Sequence, residues 1–560
     1  MNRALSVFYW LFDSQHGPRD RLIPRWIFLR ALGLIYFSAF FSLVFQIRGL
    51  IGPDGILPAN QYLKAVANQL GSAEGVWYAP TVLWLSSGNH MLLALCWTGM
   101  IASVLLVANI WPRGMLAICF VCFLSFVSAA QDFSGYQSDG MLLAAGFISL
   151  FFAPAGFRPG LGAKSPPSRA SLFLLLWEWF RIYFESGLAK MLGGDPEWRH
   201  FTAMDEYYQN GPLPTWIGWY VQHLPHWFHY STAVATIVLE LGLVWMLFLP
   251  RRWRIVCFFI VTPWEIGVIL TANYTFLNYL VLSLGFLLLD DRFLQRFLPA
   301  HWRKSLLASE AVNARETPKI SDNDEMRLPA EASHETASHS HQTESREAEH
   351  ESSFLRRLKI VKLSFASFIL LWIFYATTVE LIGMFSEVPL PIAPVMALEP
   401  FRIANRYGLF GVMTRGRYEI EFQGSNDDTN WIAYPFRFKP QQLDQAPGIY
   451  APYQPRFDWN LWFASLGQWQ NYPIVVRTEV KLLENDKTVL SLFKSNPFQD
   501  QPPRQIRAVL WQYWFTSMAE KRRTGLWWRR EFIGLYAPTL ECGPDGKIQA
   551  VEMPTVEPRD

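Results

Sequence analysis

Nine stretches of this chain are apolar over too long a run for water to be their solvent. They lie near residues 26–47, 91–110, 115–130, 141–153, 171–189, 231–249, 255–272, 275–289 and 361–383. A helix of about 20 apolar residues crosses the hydrocarbon core of a bilayer, and it satisfies its backbone polar groups without help from water. Several runs are shorter than that, so the expected number of spans is about nine. Charged residues make up 17% of the chain, against about 25% in a soluble domain. The 25 Trp and 43 Phe suit the aromatic belts of a membrane protein. A net charge of +2 gives no electrostatic footprint for nucleic acid.

One of these runs is chemically odd. From Ser171 it reads "SLFLLLWEWFRIYFESGLAKMLGGDPEW" and carries Glu178, Arg181, Glu185 and Lys190. The spacing i, i+3, i+7 puts Glu178, Arg181 and Glu185 on one helix face, where Arg181 can pair with either acid. Charge in hydrocarbon is costly and turns toward the bundle interior. This polar cluster is therefore expected to face inward. Lys190 follows at the outer end of the helix. It is either an interfacial anchor snorkelling to the head groups or the rim of a polar cavity. In both cases Lys190→Met is expected to fold normally.

Other ionisable residues in apolar surroundings are Asp132, Asp139, Glu240 and Glu265, and His90, His223, His226 and His229 sit toward the outer side. None falls in the HExxH spacing of a zinc hydrolase. There is no GxSxG, no Walker loop and no GxGxxG after a strand, so no metal site and no cofactor is expected. Cys119 and Cys122 form a CxxC inside an apolar run and read as helix packing. The N-terminus has a short apolar stretch interrupted by Asp13, unlike a secretory signal peptide.

Four regions follow from composition. Residues 1–289 form a multi-span helical membrane domain. Residues 290–360 are polar and nearly free of aromatics, and are expected to be a disordered cytoplasmic linker. Its His334, His339, His341 and His350 read as solvated rather than metal-binding. Residues 361–388 are the final transmembrane helix, and residues 389–560 a β-rich extracytoplasmic domain. There "RYEIEFQGS" and "WIAYPFRFKP" alternate apolar and polar residues around the turn "NDDTN", and "PIVVRTEVKLL" and "AVLWQYWFTSM" are expected as further strands. "DWNLWFASLGQW" is expected as a short helix. Basic residues set the orientation. Arg19, Arg21, Arg25, Arg113, Arg158, Arg251, Arg252, Arg292 and Arg357 all fall in loops on one side if the N-terminus is cytoplasmic.

The motifs of this chain resemble those of the lipase maturation factors. The resemblance runs through "SDGMLLAAGF", "FRIYFESGLAKMLGGDPEWRHFTAMDEYYQNGPLP", "VLELGLVW" and "TANYTFLNYLVLSLGFLLLDD", and through "NRYGLFGVMTRGRYEIEFQGS", "PRFDWNLWFASL", "SLFKSNPF", "PPRQIRA" and "WWRREFIGLYAPTL". Tyr207–Gln209 departs from the family's usual HYE. The resemblance implies a membrane-bound, chaperone-like factor, not itself a lipase. Eukaryotic relatives sit in the endoplasmic reticulum membrane with the C-terminal domain in the lumen, and lipases need them to reach an active state. The expected partners are membrane lipid and exported client proteins such as lipases, with Trp459, Trp462 and Phe463 as candidate client-binding aromatics. More distantly, the membrane region is similar to the vitamin K-dependent γ-carboxylase superfamily. That resemblance implies an alternative, a membrane enzyme acting on a lipid or quinone-like substrate, with Lys190 in the place of the catalytic lysine.

The orientation yields the first prediction. Reporter fusions near His341 and at Cys542 are expected to report opposite compartments, cytoplasmic and exported. The same compartment at both positions would exclude the nine-span order.

Overall fold

Every apolar stretch is helical in the computed structural model, which describes residues 3–297, 341–499, 501–543 and 546–554. They form α1 (Leu22–Val44), α2 (Asn89–Val107), α3 (Pro112–Val127), α4 (Gln137–Phe152), α5 (Arg169–Leu192), α6 (His226–Leu241), α7 (Arg251–Thr271), α8 (Leu277–Gly285) and α9 (His341–Ile382). Among the described residues five helices are long and apolar enough to cross a membrane: α1, α2, α6 with its continuation to Phe248, α7, and α9 from Arg357. α3, α4 and α8 are apolar but shorter. α5 has the length, 24 residues or about 36 Å, and differs by its charges.

The two ends of this bundle are built differently. At one end Asp291 accepts from the Leu22 and Ile23 amides at 3.1 and 2.8 Å, capping α1 with an acid, and Arg21 donates to the Leu287 and Leu289 carbonyls. Buried Arg25 donates to the Ser165, Leu161 and Gly162 carbonyls at 2.7, 2.9 and 3.0 Å. At the other end lies the chain beyond α9. Gln46, just past α1, donates to the Gln454 carbonyl at 2.9 Å. Asn273, between α7 and α8, donates to the Gly448 carbonyl at 2.9 Å and accepts from the Tyr450 and Ala451 amides at 2.6 and 3.0 Å.

That later chain builds an antiparallel sheet of β1 (Arg417–Ser425), β2 (Ile432–Ala433), β3 (Gln505–Phe515), β4 (Trp528–Leu535), β5 (Thr539–Cys542) and β6 (Ile548–Glu552). Its order is β2-β1-β3-β5-β6, with β4 also on β3. β1 pairs with β3 from Arg417 opposite Tyr513 to Ser425 opposite Gln505. Helices α10 (Arg456–Ser465) and α11 (Pro473–Leu483) pack on β1 and β3. One buried apolar cluster runs without a break from Phe28 and Tyr36 in α1 to Phe422, Phe457 and Val475 in this region.

Three expectations change. "PIVVRTEVKLL" is α11, not a strand. Its buried residues Ile474, Val475, Thr478, Leu482 and Leu483 recur at helical spacing, and Pro473 sits at the first helical position. Packing against β3 overrides the strand preference of its β-branched residues. "WIAYPFRFKP" supplies only the two residues of β2, since Pro435 has no amide to continue the ladder. The region 290–360 lies largely outside the described residues, and its described parts are helical. Asp291–Leu294 packs on α1 and continues into Gln295–Phe297, and α9 starts at His341 rather than 361 and ends at Ile382 rather than 388. Extending an existing helix costs far less than nucleating one, so the apolar span draws the polar residues before it into the same helix.

A single ion pair ties the two regions most tightly. Arg456, at the start of α10, holds Asp139, at the start of α4, with two parallel hydrogen bonds of 2.7 and 2.8 Å, and donates again to the Phe133 carbonyl at 2.7 Å. Both side chains are fully buried, and the guanidinium lies 4.7 Å from the Phe126 ring. Removing one partner of such a pair costs about 3–5 kcal/mol, because it strands the other charge. Arg456→Met is expected to lose most folded protein in fluorescence-detected size exclusion. The double variant Arg456→Met, Asp139→Leu is expected to recover part of it. Trp462, which donates to the Asn210 carbonyl at 3.1 Å, makes the same join, so Trp462→Ala is expected to lower folded yield by about 3–5 kcal/mol of stability.

Candidate functional site

The charges of α5 find their partners in chain that is far away in sequence. Arg181 Nε donates to Glu185 Oε1 at 2.6 Å, and no ion pair joins Arg181 to Glu178 among the described residues. Both residues also bond to the irregular segment after α9. Glu185 Oε2 accepts from the Tyr407 amide at 2.7 Å, and Arg181 donates to the Asn405 carbonyl, its guanidinium 5.1 Å from the Tyr407 ring. One turn on, Ser186 Oγ accepts from the Leu409 amide at 3.2 Å, and Trp198 donates to the Phe410 carbonyl at 2.8 Å. A buried segment with no regular structure needs a partner for each polar group. The polar face of α5 supplies those partners.

Lys190 lines a cavity, but from a buried position rather than an open rim. It is 2% exposed. Its ammonium donates to Glu240 at 2.9 and 2.8 Å, to the Leu409 carbonyl at 2.8 Å and to the Ser186 carbonyl at 3.4 Å. The approach of α6 that delivers Glu240 depends on Gly187, where an added Cβ would lie 2.8 Å from Leu241 and 3.0 Å from the Cβ of Glu240. A lysine held this way is a structural cation whose three hydrogens are all committed. The pair forms the inner wall of a cavity of about 460 Å³ between α5, α6, α7 and α8. Beside it Glu265 of α7 accepts from the Tyr183 hydroxyl and, at 2.8 Å, from Asn278 Nδ2.

A second concavity lies at the sheet end of the bundle, where α9 gives way to the sheet region. Two adjoining hollows of about 660 and 580 Å³ share Val127, Ser134, Met396, Glu399 and Arg402 and form one groove. Its walls include Val388, Ile392 and Met396 on one side and Trp77 and Tyr78 on the other, all more than half exposed. Glu380, Arg406, Glu399 and Arg402 add charges of both signs.

Of the candidate client-binding aromatics, the two Trp take the core position that is the other reading of them. Trp459 and Trp462 are buried, packed edge-on against Tyr136 and Phe463 respectively, and only Phe463 reaches solvent. α10 is wedged between the sheet and the membrane helices, so its aromatics are core. His223 contacts the Thr516 carbonyl at 2.9 Å and joins the helix Trp216–Gln222 to the end of β3. The groove escaped sequence reading because its walls come from residues near 77, 130 and 395, none in an unusual pattern. The Lys190–Glu240 pair was half visible, as both residues interrupt apolar helices.

Comparison with known proteins now adds to this geometry. The family model described as the lipase maturation factor transmembrane domain matches residues 23–296, and that described as the lipase maturation factor C-terminal domain matches residues 403–538. The chain is 32% identical to lipase maturation factor 2 of Gallus gallus, over 93% of this chain and 82% of the relative. It is 30% identical to lipase maturation factor 2 of Homo sapiens, over 93% and 83%, and to lipase maturation factor 1 of Bos taurus, over 92% and 89%. No solved structure matches the chain.

The buried pair reverses the expectation for Lys190. Lys190→Met leaves the Glu240 carboxylate beside an apolar cavity with no cation. The variant is expected to lose about 3–5 kcal/mol of stability and to melt earlier in a thermal scan of the purified protein. Lys190→Met with Glu240→Gln is expected to recover most of the loss. A single variant as stable as wild type would return Lys190 to the interface.

Proposed function

The chain belongs to the lipase maturation factor family, and from that premise we propose that it holds exported proteins, lipases among them, while they reach their assembled state. The observation that carries this reading is the outer groove. Contiguous apolar surface of this kind is rare on a soluble face and marks a place where another chain docks. Val388, Ile392, Met396, Trp77 and Tyr78 offer apolar contact, and the mixed charges of Glu399, Arg402, Glu380 and Arg406 suit an extended client segment rather than a single ion. The client expected here is an apolar segment of a folding protein, covered until its own partner subunit takes it.

The same reading includes nine crossings. α1, α2, α6, α7 and α9 span alone, while α3, α4, α5 and α8 span inside the bundle, shielded by the others. The basic end, with Arg21, Arg25 and Arg251, is cytoplasmic, and the sheet region with its groove is periplasmic or lumenal, in a bacterial inner membrane or the endoplasmic reticulum. Residues 1–289 then form the membrane domain and 389–560 the exported one. The enzymatic alternative has less to support it, because Lys190 is buried against Glu240 and two carbonyls rather than open to a substrate at a rim.

The test is a groove variant. Ile392→Asp with Met396→Asp changes two exposed side chains and is expected to leave membrane levels at wild type. In a strain lacking this factor, it is expected to lower the activity of a secreted lipase client at least about ten-fold, as loss of about 1.4 kcal/mol of client binding would. Full activity at normal membrane levels would remove the groove from the function.

A further inference from the structure

The inner cavity faces a different solvent from the groove. α6 packs on α5 and α7 packs on α8, and the cavity occupies the gap between α6 and α7. Val238, Ile266 and Leu270 are exposed apolar side chains on these two helices, of the kind that meets hydrocarbon in a membrane protein. Apolar residues of α6 and α7, among them Phe228, Trp264 and Val268, line the passage inward. Its inner end is the buried polar set of Lys190, Glu240, Tyr183, Glu265 and Asn278.

Hydrogen-bond accounting shows what that end can accept. Lys190 spends its hydrogens on Glu240 and two carbonyls. The hydroxyls of Thr232 and Thr236, which also line the cavity, donate to the Phe228 and Thr232 carbonyls at 2.8 Å each. Tyr183 and Asn278 donate to Glu265. At the inner end the donors of Lys190, Tyr183 and Asn278 are thus engaged, whereas acceptor capacity remains; the Tyr208 hydroxyl lines the wall of the cavity. Glu265 is 4% exposed, has no cation paired with it among the described residues, and receives one hydrogen bond on each oxygen, where a carboxylate oxygen takes two. Two carboxyl groups stand against one committed ammonium. A phosphate placed here would meet both carboxyl groups with no free cation to offset them. A head group that donates hydrogen bonds would complete them.

We propose that the gap between α6 and α7 is a lipid site, which takes a long-chain amphiphile by its apolar tail and selects a head group that donates hydrogen bonds, a hydroxyl or an ammonium, against one that carries phosphate. A volume of about 460 Å³ falls within the range of about 300–1,000 Å³ for small-molecule sites. The site is separate from the client groove and stands whether or not that reading does.

The full chain in native-lipid nanodiscs tests it with three photoreactive probes of equal tail: a diacylglycerol, a long-chain amine and a phosphatidic acid. The diacylglycerol or the amine is expected to label peptides of α6 and α7 at least ten-fold more than the phosphatidic acid, and the stronger of the two identifies the head as alcohol or ammonium. Gly267 lines the cavity, and a side chain added there meets open space. Gly267→Phe is therefore expected to fold, keep its melting temperature and lose the labelling at least ten-fold. Competition by unlabelled lipid in the wild type reads the same selectivity without any variant. Equal labelling by phosphatidic acid, labelling indifferent to Gly267→Phe in folded protein, or labelling spread evenly over all the helices as bulk lipid would each overturn the proposal.

Discussion

Burying a charge away from water is costly unless it is paired, and several of the buried charges in this chain take a partner from the other half of the protein. Arg456 of α10 meets Asp139 of α4, and the backbone from Asn405 to Leu409 meets Arg181, Glu185, Ser186 and Lys190 of α5. Removing the sheet region would leave these groups open inside a low-dielectric bundle, at several kcal/mol each. Removing the helices would leave Arg417 without the Gln209, Gly211 and Pro212 carbonyls it holds. Each half is thus incomplete without the other, and the continuous apolar cluster through both halves is the packing counterpart of those polar ties.

This constraint explains where the concavities lie. Closely packed helices leave little space, and space opens where elements of different kinds meet. The groove lies where α9 ends and the chain turns into the sheet region, against Tyr136 and Gln137 at the start of α4. The inner cavity lies where α6 and α7 part beside the polar face of α5. Both are walled partly by the segment from Met396 to Phe410, which reaches the groove through Met396 and Arg402 and the cavity through Leu409 and Phe410. The seam beside them is held by the buried Arg456–Asp139 pair, whose two parallel hydrogen bonds admit few alternative arrangements.

The chain belongs to the lipase maturation factor family, and two of its most conspicuous residue sets are taken up by internal contacts. The residue that most invited chemistry, Lys190, is locked by Glu240 and by the Leu409 carbonyl. The aromatics that most invited client contact, Trp459 and Trp462, are joints between the halves. The groove and the cavity between α6 and α7 are each assembled from residues distant in sequence.

By itself, the sequence determined the class of protein, the position of each apolar helix, the asymmetry of basic residues between the loops and the inward turn of Glu178, Arg181 and Glu185. These are local properties: apolar length and helical spacing are read within one segment, and the cost of charge in hydrocarbon leaves few options. The family motifs were legible too, because they are short runs in order. Tertiary structure alone decided which acid pairs with which base. Arg181 takes Glu185 and not Glu178, Lys190 takes Glu240 at a separation of 50 residues, and Arg456 takes Asp139 at a separation of 317. It also made "PIVVRTEVKLL" a helix and sank Trp459 and Trp462 into the core. The physical reason is common to all of these. A buried charge, a β-branched run or a tryptophan has several acceptable environments, and the one adopted is set by which distant surface packs against it.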